Sequence, residues 1–135
     1  DGVEWDLRLA GNVPALRGDP GQLQQVLLNL FVNAADAMRE RPTARKVIAV
    51  TSGLDDRKRL VRVVVTDTGP GIAAPNLTRV FEPHFTTKPE GHGYGLSTSY
   101  RIVASHGGRI TAESPPGQGA SFTITLPVDG PGGWG

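Results

Sequence analysis

Residues 45–69, RKVIAVTSGLDDRKRLVRVVVTDTG, hold two runs rich in β-branched side chains on either side of the polar segment Asp55-Asp56-Arg57-Lys58. Branching at Cβ favours extended backbone, so two such runs around a short polar break read as an antiparallel hairpin. A second pair of extended runs lies in 109–127, RITAESPPGQGASFTITLP, joined by a Pro/Gly turn. At the amino end, VEWDLRLAG alternates Val3, Trp5, Leu7 and Leu9 with charged residues, which predicts a half-buried strand.

Two helical patterns separate these runs. In LRGDPGQLQQVLLNLFVNAADAMRERP, Asp19 and Pro20 have the chemistry of an N-cap and a first helical residue. Leu23, Val26, Leu27, Leu30, Ala34, Ala37 and Met38 then recur at helical spacing until Pro42, which predicts a helix over about 20–40. A second helix is expected over 93–106, turning Leu96, Tyr100, Ile102, Val103 and Ala104 inward and stopping at the glycine cap of His106-Gly107-Gly108. Residues 68–92 break into Gly, Pro and polar residues, with a short helical piece near 77–81. A stretch of that kind inside a domain reads as a functional loop or lid. Helices and hairpins segregate instead of alternating as βαβ units. The expected fold is therefore α+β: a two-layer α/β sandwich whose mixed, mostly antiparallel sheet is covered on one face by helices.

The chain has 135 residues, enough for one domain with a real core, expected at 1–128 with a glycine-rich tail at 129–135. Its formal net charge of +1 gives no bulk electrostatic reason to expect nucleic acid or direct membrane contact. Cysteine is absent, which removes disulfide frameworks and thiolate metal sites, and no apolar run approaches the roughly 18 residues of a spanning helix. Trp134 in the tail reads as an exposed residue and RERPTARK as a solvated helix end.

Four stretches carry possible chemistry. Gly91, Gly93 and Gly95 open a helix, where unpaired N–H groups and the dipole favour an anion and the missing Cβ atoms admit a phosphate; a plain turn opening a helix would look the same. The string is no P-loop, and Leu96 stands where a dinucleotide fingerprint needs glycine. In VVVTDTGPGI a strand delivers Asp67 to its end beside Gly69 and Gly71, which suits either an amino-group acceptor or an Asx turn. Asn29, Asn33 and Asp36 stand at i, i+4 and i+7 on one helical flank beside the apolar stripe, where an Asn oxygen suits a hard cation carrying phosphate ligands. In RVFEPHFTTKP, Phe81 and Phe85 are placed to pin a loop whose tip carries Thr86, Thr87 and Lys88, either a phosphate-reaching lysine or a solvated one.

Taken in order, NLFVNAADAM, DTGPGI, FEPHFTTK and GHGYGLS resemble the N, G1, F and G2 boxes of sensor histidine kinase catalytic domains, members of the Bergerat-fold ATPase superfamily. The resemblance runs from Gly18 to Pro127 and implies a Bergerat fold with an ATP lid. By that resemblance Asn33 matches the asparagine that ligates magnesium, and Asp67 the aspartate that recognises the adenine amino group. Gly69 and Gly71 match the base-pocket glycines, with Ile72 beside them. Gly91, Gly93 and Gly95 match the hinge and phosphate segment, with His92, Tyr94 and Leu96 among them. Lys88 matches a lid position, Ser121 a position near the adenine, and Asn29 and Asp36 complete the implied ATP-binding set. The resemblance further implies ATP and Mg2+ as cofactors and transfer of the γ-phosphoryl group to a histidine on an adjoining dimerisation domain. A response-regulator receiver domain would be the next partner, and the location cytoplasmic.

Hydrolysing members of that superfamily resemble ExxxNxxDA, with a glutamate one turn before the metal asparagine. Here that turn carries Asn29, and an amide is no general base at neutral pH. The pattern favours holding ATP for another nucleophile, and disfavours a topoisomerase or mismatch-repair ATPase. His84, His92 and His106 do not resemble a phosphoacceptor box, so no residue of this chain is assigned as catalytic; His106 reads as a cationic residue in the last turn of a helix. Two alternatives remain: a catalytically silent nucleotide-binding module, and an anti-sigma-type serine kinase.

Overall fold

The computed structural model describes residues 3–9, 11, 18–38, 45–55, 57–77, 79–82, 95–115 and 119–130. Five strands form one sheet in the order β1-β2-β3-β5-β4: β1 (Val3–Leu9), β2 (Lys46–Asp55), β3 (Leu60–Asp67), β4 (Arg109–Glu113) and β5 (Ser121–Pro127). β1 runs parallel to β2, and every other pairing is antiparallel. Helices α1 (Pro20–Met38) and α2 (Gly95–Ser105) cover one face. This is the mixed, mostly antiparallel two-layer α+β arrangement that the segregated patterns predict.

The core lies between the layers. Val26, Leu30, Ala34 and Met38 of α1 and Val103 of α2 pack onto Ile48, Val50, Val65, Ile110, Phe122 and Ile124 of the sheet. Strand alternation sends Thr51, Arg62, Thr66, Thr123 and Thr125 to the other, polar face. Because the side-chain period is two, a one-residue slip at β5 would exchange Phe122 for Ser121 in the core, so this register is strongly specified.

Both helices are closed by the residues the sequence singles out. Asp19 Oδ1 accepts from the Gln22 amide at 3.1 Å, capping α1. At the end of α2, Gly107 takes a φ of 77°, and the Gly108 amide reaches back to the Val103 carbonyl at 2.9 Å, a Schellman closure.

His106 is otherwise than expected. It is buried; its Nε2 accepts from the Asp19 amide at 3.0 Å and its Nδ1 faces the Ile102 carbonyl at 2.8 Å. Those partners assign a neutral ring with the proton on Nδ1. The residue is a strut joining the end of α2 to the start of α1, not a cationic helix terminus.

Two other expectations shift. The helical piece near 77–81 begins earlier, as a 3₁₀ turn at Ala74–Asn76 started by Pro75, and runs on through turns to Glu82. Where the chain leaves β5, the Val128 amide bonds the Arg59 carbonyl, Arg59 pairs with Asp129 at 3.1 Å, and the Gly130 amide bonds the Pro127 carbonyl at 3.2 Å. The remainder of the tail, with Trp134, lies outside the described residues. Finally, Trp5, Leu7 and Leu9 of β1 are 52%, 57% and 60% exposed, where a half-buried strand was expected. β1 is an edge strand, and the helical layer stops short of it apart from Phe31, whose ring meets Trp5 edge-on at 5.1 Å. Below Trp5, Arg45 grips Glu4 through two bonds of 2.6 and 2.8 Å and holds its carboxyl below the usual carboxylate range.

Candidate functional site

β3 ends in Asp67, which is 2% exposed. Register puts it opposite Ile48 on the helix-covered face, so the strand carries a carboxylate into the boundary between the layers. Its Oδ1 accepts from the Gly69 amide at 2.8 Å, the Asx turn allowed by the sequence, and its own amide bonds the Ala120 carbonyl at 2.9 Å. The carboxylate is thereby oriented from its own loop, and its backbone is anchored by the residue just before β5. A carboxylate is an acceptor with about four lone-pair sites, so it can also receive a hydrogen bond from an amino group of a ligand.

The glycines permit the close approaches. A Cβ on Gly69 would lie 3.1 Å from the Ala37 backbone, so this loop rides against the last turns of α1. Gly71 has a φ of 86°, and its missing Cβ leaves room for Ser114 Oγ, 2.6 Å from where that atom would be. Ser114 then staples the loop: its Oγ accepts from the Ile72 amide at 2.7 Å and donates to the Gly119 carbonyl at 2.7 Å. Gly119 has a φ of 74°, and a Cβ there would collide with the Asp67 carbonyl. Ser114, Gly119 and Ala120 therefore hold the Asp67 loop in place, although the sequence reading did not name them as site residues. A Gly-x-Gly just before a strand was the available signal, since its second glycine needs a positive φ.

Asn29, Asn33 and Asp36 are all half-buried on the flank of α1 that the spacing predicts. The Asn29 side chain accepts from Gln25 Nε2 at 2.7 Å and donates to Ser99 Oγ of α2 at 3.3 Å. Ser99 is fully buried, so Asn29 serves as a bridge between the helices. The polar flank of α1 thus lies between the Asp67 loop, reached through Ala37 and Gly69, and α2, reached through Asn29 and Ser99. Gly95 is the first residue of α2, and Leu96 beside it packs on the core. Phe81 pins the end of the 74–82 segment, with its ring 6.2 Å from Phe122 and 5.7 Å from Tyr100.

Ser121 needs correction. It pairs with Thr66, and their hydroxyls meet at 2.9 Å on the sheet face away from Asp67. Strand alternation decides this: Phe122 occupies the core, so the residue before it points the other way. It is Ala120, the residue just before β5, that touches the Asp67 segment. Lys88, Gly91, His92, Gly93 and Tyr94 lie outside the described residues, as do His84, Phe85, Thr86 and Thr87.

The donor set bears on a metal. Among the described residues no group of three His, Cys, Asp or Glu side chains stands together. A half-buried Asn oxygen alone fits an ion that is carried mainly by phosphate oxygens and water, as magnesium is, and does not fit a site built wholly from protein ligands. Also among the described residues, no helix is long and apolar enough to cross a membrane.

Comparison with known proteins gives a consistent result. Residues 18–130 match the family model of histidine kinase-, DNA gyrase B- and HSP90-like ATPases. The sensor histidine kinase ZraS of Escherichia coli (strain K12) is 44% identical over 128 residues, covering 93% of this chain and 26% of that protein. The sensor protein FixL of Bradyrhizobium diazoefficiens is 44% identical over 110 residues, covering 82% of this chain and 21% of that protein. This chain therefore spans about a quarter of the length of these relatives. Among solved structures, the catalytic domain of histidine kinase ThkA superposes with a TM-score of 0.80 at 30% identity, covering 95% of this chain and 80% of that one. Full-length ShkA in complex with AMPPNP superposes with a TM-score of 0.81 at 32% identity, covering 96% of this chain and 26% of that one.

Proposed function

Because this chain belongs to the histidine kinase-, DNA gyrase B- and HSP90-like ATPase family, we propose that it is the ATP-binding catalytic domain of a sensor histidine kinase. In this reading it binds Mg-ATP, and the γ-phosphoryl group passes to a histidine on an adjoining dimerisation domain. From there the phosphoryl group reaches a response-regulator receiver domain, in the cytoplasm. The observation that carries the reading is Asp67: a buried carboxylate at a strand end, aimed by the Gly69 amide beside a half-buried amide flank.

Each group has a physical role. Asp67 accepts from the adenine amino group, with Gly69, Gly71 and Ile72 forming the wall of the base site. Asn33 holds magnesium together with the phosphates, and Asn29 and Asp36 line the same flank. In this reading Lys88 and the Gly91–Gly95 segment, with His92, Tyr94 and Leu96, are the residues assigned to the phosphates. Magnesium, when bound, neutralises phosphate charge. Phosphoryl transfer depends chiefly on positioning and charge neutralisation, so a domain that supplies both need not supply a nucleophile or a base.

Asn29 favours transfer over hydrolysis, since its amide is engaged with Gln25 and Ser99 and has no basic lone pair. The similarity to sensor histidine kinases favours a histidine acceptor over the serine of an anti-sigma-type kinase.

The test is to add a separately prepared phosphoacceptor hairpin from the same full-length protein to this chain with γ-labelled ATP. Label on the hairpin histidine supports the reading. Nucleotide binding without any label would instead favour a silent binding module, and label on a partner serine the serine kinase.

A further inference from the structure

β2 and β3 last face each other at Ile48 and Asp67. One more step of the ladder would set Val47 opposite Thr68, but there the backbone folds back so that the Gly69 amide reaches Asp67 Oδ1. The half-buried Thr68 side chain takes over from the ladder. Its Oγ1 accepts from the Val47 amide at 3.0 Å and donates to the Arg45 carbonyl at 2.7 Å. The one proton of the hydroxyl and one of its lone pairs are thus spent on the neighbouring strand segment. The same oxygen lies 3.4 Å from Met38 Sδ, at the last residue of α1.

Asp67 is therefore held from both sides. Its own amide bonds the Ala120 carbonyl, and the residue after it is fastened through a side chain to Arg45 and Val47. Arg45 in turn is tied to β1 by its two bonds to Glu4. Ser114 holds the same loop further on, at the Ile72 amide. The turn that aims the Asp67 carboxylate is consequently pinned before and after Gly69, and Thr68 supplies the nearer pin.

We propose that Thr68 is a positioning residue for base recognition, acting through Asp67: its hydroxyl fixes the turn that aims the carboxylate at the adenine amino group. The inference rests on the reading of Asp67 as the adenine acceptor, and it gives Thr68 itself no contact with nucleotide. An ionised carboxylate accepts hydrogen bonds and donates none, so its aim matters for adenine, which presents a donor there, and little for guanine, which presents an acceptor. Loss of aim lowers ATP affinity selectively. A general loosening of the domain lowers affinity for both nucleotides by the same factor.

Calorimetry of the 135-residue chain with ATP and with GTP tests it. Thr68→Val keeps the shape and removes the hydroxyl. It should raise the ATP dissociation constant by about tenfold, the scale of one hydrogen bond to a charged group, with much less change for GTP. Thr68→Ser keeps the hydroxyl and should restore both values. In an Asp67→Asn background, Thr68→Val should leave the ratio of ATP to GTP affinity unchanged, because no carboxylate remains to be aimed. Circular dichroism checks folding, and Thr68→Ala, the same deletion at smaller volume, replaces a valine variant that does not fold. An ATP-selective parent whose Thr68→Val variant keeps that selectivity overturns this inference alone. Serine that fails to rescue, or an undiminished effect in the Asp67→Asn background, does the same. A parent that binds both nucleotides equally overturns the reading of Asp67 and this inference with it.

Discussion

The carbonyl of Asp67 occupies the space into which a Cβ on Gly119 would project, so the strand carrying the buried carboxylate and the turn before β5 are in backbone contact. That closeness, with the Asp67 amide bonded to the Ala120 carbonyl at 2.9 Å, makes the turn part of the site.

Gly119→Ala should therefore injure the site from outside it. The left-handed backbone costs roughly 1–3 kcal/mol for a residue with a side chain, and the collision with Asp67 adds to that. A fall in melting temperature with at least a tenfold loss of ATP affinity is expected, read by thermal melts and calorimetry. Unchanged affinity would separate the turn from the site.

Ser114→Ala tests the staple without touching backbone strain. It removes one partner each from the Ile72 amide and the Gly119 carbonyl, at a cost of about 1–3 kcal/mol if water does not replace it. Faster amide exchange across residues 69–72 is expected, with weaker nucleotide binding in a domain that remains folded.

Asp67→Asn keeps the shape and removes the charge. ATP affinity should fall and the preference over GTP should blur, since guanine presents an acceptor where adenine presents a donor, and an amide can donate to it. Calorimetry with both nucleotides checks this; affinity and selectivity both equal to those of the parent would take Asp67 out of base recognition.

Asn33→Ala should lose the magnesium-dependent part of nucleotide affinity while staying folded, because the side chain is only half-buried. Titrating ATP with and without magnesium separates the two contributions. A mutant that gains as much from magnesium as the parent would count against Asn33 as the ligand.

His106→Ala should lower stability by about 1–3 kcal/mol by leaving the Asp19 amide and the Ile102 carbonyl without their ring partner. The strut lies at the start of α1, away from Asp67, so the folded mutant should bind nucleotide much as the parent does. Chemical denaturation measures the first effect and calorimetry the second.

The chain itself determined the element types and the caps. Two-residue and 3.6-residue apolar periods separate strands from helices, and Asp19-Pro20 and Gly107-Gly108 punctuate α1 and α2 through short-range backbone chemistry. It also determined the flank shared by Asn29, Asn33 and Asp36, because helical spacing is local. Tertiary structure alone decided which polar group meets which. Ser121 reads as a site residue until the β3–β5 register turns it to the far face. His106 reads as a helix-end cation until the packing of α2 on α1 delivers an amide to Nε2. Nor does alternation in β1 reveal that the helical layer stops short, leaving Leu7 and Leu9 in solvent. Periodicity reports which face a residue shares, whereas burial and partners depend on what another segment, distant in the chain, brings to that face.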